Sequence, residues 1–199
     1  MSTILHSDQQ KPPDVHRETR VHSPVGAIEL CRCSNDFIDT ILGFITAPFL
    51  QELIFAHECP YSGLAPTIIQ FLGRSKCTLT SLSLRVPLDP EEVLAVLEPP
   101  CVREVVHLDI GCGEEEEDRV VTCSPCIDAL AKRGVLPNLR VLKFRSNGEL
   151  DGSMVLAMIA SRRPVLPELR IEGWRKYPVL SPAAVQALGA DGLEVMLSS

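Results

Sequence analysis

The arrangement in this chain best suited to bond-making chemistry is Cys123-Ser124-Pro125-Cys126, two thiols separated by two residues. That gap serves a zinc knuckle, with Cys112 and His107 upstream as further donors, or a redox dithiol. A zinc site of the usual kind would use a second pair, and the nearest candidate, Cys31 and Cys33, has a one-residue gap and lies far back in the chain. A redox pair would need a thioredoxin-like strand and helix, whereas Cys126 shares helical phase with Ile127 and Leu130 and is expected to face a core. Histidine chemistry is equally thin, because three of the five histidines (His6, His16 and His22) fall in the N-terminal stretch and no Ser-His-Asp or Cys-His set can be assembled. Gly111-Cys112-Gly113 is followed by four glutamates, which would repel a phosphate, and no complete nucleotide-binding motif occurs. The expectation is a protein without catalysis, cofactor or metal; the rival reading is a redox or zinc protein built on Cys123 and Cys126.

The elements that would position these residues repeat. The spacing apolar-x-x-apolar-x-apolar appears at Leu50/Leu53/Phe55, Leu79/Leu82/Leu84, Val105/Leu108/Ile110, Leu139/Leu142/Phe144 and Leu166/Leu169/Ile171. A weaker copy precedes it at Val25/Ile28/Leu30, and a clipped one, Leu193 and Val195, follows. Successive middle positions are separated by 25, 29, 26, 34, 27 and 24 residues, five of them in the period of leucine-rich repeats, which is about 20–29 residues.

Between these strands lie segments with helical spacing. Asn35 or Asp36 can cap the first, which carries Phe37, Ile38, Ile41, Leu42 and Ile45; the second runs from Ser62 or Gly63 to Leu72, with Gly73 at its stop. Asp89-Pro90 opens the third, which Pro99-Pro100 ends, and Ser124-Pro125 opens the fourth. The fifth covers residues 151–160 and the sixth residues 181–188. The pattern predicts an α/β solenoid of about six or seven irregular leucine-rich repeats over residues 25–199, with a short curved parallel sheet on the concave side and helices on the convex side. A doubly wound sheet also alternates strand and helix, but its strands, buried on both faces, read as continuous aliphatic runs rather than these half-alternating ones.

At 199 residues there is room for one domain, and 45% hydrophobic with 23% charged residues describes a globular chain. A net charge of −7 and an isoelectric point near 5.2 repel nucleic acid and anionic membranes. No apolar run reaches the roughly 20 residues that span a bilayer. Residues 1–24 read as a disordered lead-in without a signal-peptide core, which makes the eight cysteines reduced thiols in a cytoplasmic or nuclear protein, expected to be monomeric.

The strands, together with phrases such as Leu136-Pro137-Asn138-Leu139-Arg140-Val141-Leu142 and Met158-Ile159-Ala160-Ser161-Arg162, resemble the leucine-rich repeats of F-box proteins, most closely the large fungal set. The resemblance spans Val25 to about Val195. It implies repeats that hold the client of a ubiquitin ligase. Cys33 and Asn147 meet the family's Asn/Cys at the ninth repeat position, whereas Glu58, Pro87, Gly113 and Trp174 depart from it. The first 24 residues contain no F-box, so adaptor binding is carried over to no residue here.

In a repeat of this kind the third, fifth and seventh positions project from the concave sheet. They are Glu52, Ile54 and Ala56; Ser81, Ser83 and Arg85; His107, Asp109 and Gly111; Val141, Lys143 and Arg145; and Glu168, Arg170 and Glu172. The mixture of Arg85, Asp109, Lys143, Arg145, Glu168, Arg170 and Glu172 suits a protein partner of complementary charge. The alternative is an ordinary solvated strand face with weak ion pairs. Trp174, beside Arg175 and Tyr177, is either an interface anchor or a plug over the core's end. The acidic run at residues 114–118 reads as an exposed loop. A third reading, beside recognition module and cysteine protein, is a diverged fragment with no retained role.

Overall fold

The computed structural model describes residues 2–6, 21–56, 63–86, 88–112, 124–132, 134–146, 151–162, 165–172, 180–190 and 192–198. In chain order these form β1 (Ser2–His6), β2 (Val21–His22), β3 (Ala27–Cys31), α1 (Asn35–Phe44), β4 (Ile45–Thr46), β5 (Glu52–Ala56) and α2 (Leu64–Ser75). There follow β6 (Ser81–Arg85), α3 (Pro90–Leu97), a 3-10 turn (Pro100–Val102), β7 (His107–Cys112), α4 (Ser124–Ala131) and β8 (Val141–Ser146). The last are α5 (Gly152–Arg162), β9 (Glu168–Glu172), α6 (Pro182–Ala190) and β10 (Glu194–Ser198).

The result is an α/β architecture with one eight-stranded parallel sheet, ordered β1-β3-β5-β6-β7-β8-β9-β10, and six α-helices. The order follows the chain without the reversal of a doubly wound sheet. Helices α1 to α5 pack each on the next. β2 and β4 form a separate small parallel pair.

The apolar spacing sets the register. Ile28, Leu53, Leu82, Leu108, Leu142, Leu169 and Val195 are successive Cα partners across β3, β5, β6, β7, β8, β9 and β10, Val195 standing where the spacing placed Leu193. Leu30, Phe55, Leu84, Ile110, Phe144 and Ile171 form a second ladder two residues on. From Ile28 through Leu169 the first ladder is buried, and burying each such side chain contributes about 1.5–3 kcal/mol. Strand entry is equally regular: Gln51 and Glu52 both donate to the Gly26 carbonyl, Thr80 and Ser81 to Gln51, Val106 and His107 to Thr80, and Arg140 and Val141 to Val106. One carbonyl thus takes two consecutive amides at each step, which holds neighbouring units in the same phase.

Arginines tie successive helices together. The Arg162 side chain, 3% exposed, donates from Nε to the Leu130 carbonyl at 2.6 Å, from Nη1 to Leu136 at 2.6 Å, and from Nη2 to Lys132 at 3.2 Å and to Val135. Those carbonyls belong to the end of α4 and the turn after it, where a helix leaves acceptors unmatched and a cation is favoured. Leu136 holds a φ of 48°, a strained backbone for a non-glycine residue, and its carbonyl is one that Arg162 grips. Arg74 of α2 reaches the Leu42 carbonyl of α1 in the same manner, at the same sequence distance of 32 residues as Arg162 from Leu130.

Local expectations needed several corrections. Ser34, not Asn35 or Asp36, caps α1, its hydroxyl accepting from the Phe37 amide. Helix α2 runs through Gly73 to Ser75 and stops where Lys76 adopts a left-handed φ of 50°, since an exposed glycine inside a helix costs only about 1 kcal/mol against a well-packed apolar face. Asp89 forms the expected cap, reinforced by Glu92 in a capping box. Helices α5 and α6 each continue two residues beyond the expected ends. The disordered lead-in expected over residues 1–24 differs from the structure at Ser2–His6, which extends the sheet as a parallel partner of β3, and at Val21–His22. An otherwise bare edge strand offers unpaired amides and carbonyls, and the short β-prone Ser-Thr-Ile-Leu segment satisfies them.

Candidate functional site: the open face of the sheet

Alternation along each strand sends the ladder residues into the core and the intervening ones to the opposite face. Parallel register then lines those into rows across the strands. One row runs Glu52, Ser81, His107, Val141, Glu168; the next runs Ile54, Ser83, Asp109, Lys143, Arg170. All of these but Glu168 and Arg170 line a cleft of about 530 Å³, together with Arg85.

The charges are partly matched within the face. Arg85 Nε donates to Asp109 Oδ2 at 2.8 Å across β6 and β7, and Arg170 pairs with Glu168 on its own strand. Ser81 donates to Glu52 Oε1 at 3.3 Å. Neither Glu52 nor Lys143 has an ion pair among the described residues.

Four positions expected to project are in fact covered: Asp109 is 6% exposed, Ala56 6% and Ser83 5%, and Gly111 is buried. A Cβ on Gly111 would stand 3.2 Å from the Arg85 Cα, so this point of the sheet accepts only glycine without adjustment. The buried Ser83 hydroxyl finds no hydrogen-bond partner among the described residues.

Of the residues selected from sequence, the structure brings Arg85, Asp109 and Lys143 into one cleft and places Arg170 and Glu168 on the adjoining strand. The backbones of Arg145 and Glu172 are register partners in β8 and β9; their side chains, like Trp174 and the acidic run at 114–118, lie outside the described residues. Glu52, Ser83 and His107 were missed as site residues although they occupy the same repeat positions. The signal was there, but a serine or a lone glutamate in a strand carries no chemistry until neighbours are known.

Cys126 is buried, its thiol directed to the Pro90 carbonyl at 3.7 Å, while Cys123 and the Cys112 side chain fall outside the described residues. His107 stands exposed on the open face, which separates it from Cys126 in the core. Among the described residues no group of His, Cys, Asp or Glu is arranged to hold a metal ion.

Five described cysteines are free thiols. Burial, and then Glu29, push Cys31 up to about 11. A pairing invisible in sequence joins Cys77, after α2, to Cys101 in the 3-10 turn: a hydrogen bond from the Cys77 thiol lowers Cys101 to about 7, against the opposing effect of burial, and the same contact drives Cys77 upward. The Leu79 amide donates to the Cys101 carbonyl at 3.0 Å and fixes the two segments side by side.

No helix among the described residues is long and apolar enough to cross a membrane. Neither a protein-family profile nor a curated protein matches the chain.

Proposed function

We propose that the chain is a leucine-rich-repeat solenoid serving as a non-catalytic recognition module, which receives a protein partner on the open face of its sheet. The observation that carries this reading is the in-register parallel sheet, with one face buried as a leucine ladder and the other given to a polar cleft of mixed charge. Such a face has shape and mixed charge, and among its described residues no group is arranged to hold a metal ion, which favours recognition over metal-assisted reaction. The resemblance to F-box repeat proteins adds a context, holding the client of an intracellular ubiquitin ligase, and supplies no adaptor-binding residue. Cross-linking mass spectrometry in extract tests the reading. A specific protein should cross-link beside β6 to β9 in the wild type and vanish when Lys143, Arg145 and Arg170 are changed together to Glu. Unchanged cross-links would sink it.

A further inference from the structure

We propose that the cleft takes an extended segment of the partner protein bearing a basic and an acidic side chain four residues apart, the basic one over Glu52 and the acidic one over Lys143. This rests on the recognition reading above and specifies the chemistry of the occupant.

Two cations of the open face already have partners. Arg85 is paired with Asp109 and Arg170 with Glu168, so what they offer a partner is largely cancelled. Glu52 and Lys143 are half-buried, line the same cleft and have no ion pair among the described residues. They carry opposite signs at opposite ends of it. A partner that buried either without a counter-charge would meet a desolvation penalty.

Spacing then restricts the occupant. Glu52 stands on β5 and Lys143 on β8, three strand intervals apart and offset by two residues. With strands about 4.8 Å apart and a rise of about 3.3 Å per residue, that is about 14 Å across and about 7 Å along, or about 16 Å between the two Cα atoms. Residues i and i+4 of an extended chain lie on one face about 13 Å apart, and the reach of long charged side chains covers the remainder. On a helix the same two residues would be only about 6 Å apart and could not serve both ends.

The test is selection of displayed random twelve-residue peptides on the full chain, on Glu52→Lys, on Lys143→Glu and on Ile54→Arg, a cleft-lining position chosen to block the face. Thermal melts confirm that each variant folds. The wild type should enrich peptides with a basic and an acidic residue four apart. Glu52→Lys should switch the enrichment to two acidic residues and Lys143→Glu to two basic ones, each weakening the original peptides about ten-fold, the scale of one lost charge pair. Peptides that Ile54→Arg blocks but that ignore both charge reversals would overturn this inference and leave the recognition reading intact. Peptides indifferent to Ile54→Arg, or no enrichment, would overturn both.

Discussion

Replacing Arg162 with Met removes the clamp on α4 while keeping an unbranched apolar stem in the same space. The side chain is 3% exposed and serves four carbonyls, those of Leu130, Lys132, Val135 and Leu136. The bonds to Leu130 and Leu136 are buried, so their acceptors would have no water to turn to; the other two are part-buried and can be hydrated. An unsatisfied buried acceptor costs about 1–3 kcal/mol, which applies in full to Leu130; the Leu136 carbonyl keeps the Leu139 amide at 3.1 Å and loses one bond of about 0.5–1.5 kcal/mol, so the two together cost about 1.5–4.5 kcal/mol. Against this stands the relief of removing a cation that burial already disfavours, since desolvation lowers the Arg162 pKa and no carboxylate faces it among the described residues. The net expectation is about 2 kcal/mol, with the strained backbone at Leu136 the first segment to relax. In a chain of this size that lowers the melting temperature by about 4–8 °C, measurable by calorimetry and by urea titration with an unchanged slope. Arg162→Lys retains the charge but cannot fork to several carbonyls, and should destabilise at least as much as Met. A loss below about 1 kcal/mol in Met, or a Lys variant as stable as the wild type, would show that the clamp is not what secures this end of α4.

Three further outcomes are expected. Leu142→Ala should lose about 2–5 kcal/mol, because this fully buried ladder residue has Leu108 and Leu169 as its register partners and neither can close the cavity alone; urea unfolding checks it. Iodoacetamide labelling of Cys101, followed by mass spectrometry, should rise with pH through about 7, since the thiolate is the reactive form and its depressed pKa makes it available there. In Cys77→Ala, which deletes the hydrogen-bond donor, the midpoint should move up toward the ordinary thiol range, and an unmoved midpoint would dissociate the two thiols. Metal analysis of protein purified under reducing conditions should find less than one zinc per chain, and Cys123→Ser with Cys126→Ser should leave that content unchanged.

The strand positions were legible in the amino acids because period-2 alternation and a recurring interval report burial directly, and Leu53, Leu82, Leu108, Leu142 and Leu169 are register partners as that spacing requires. Helix existence was legible for the same reason, and the cap at Asp89-Pro90 because its side-chain chemistry is local. Helix ends were less so: whether Gly73 stops α2 depends on how much apolar face the next turn buries, a tertiary quantity. Which polar side chains face the open sheet followed from alternation alone. Which of them remain unanswered did not, because the pairing of Arg85 with Asp109, and the lack of an ion pair at Glu52 and Lys143 among the described residues, depend on residues 24 or more positions apart in sequence meeting across strands. The same holds for Arg162 and for Cys77 with Cys101: a buried arginine reads in sequence as a surface charge, and two cysteines 24 residues apart as unrelated. Period and polarity are properties of neighbours along the chain, so composition and spacing determine them. Partnership is a property of neighbours in space, and only the stacking of one unit on the next decides it.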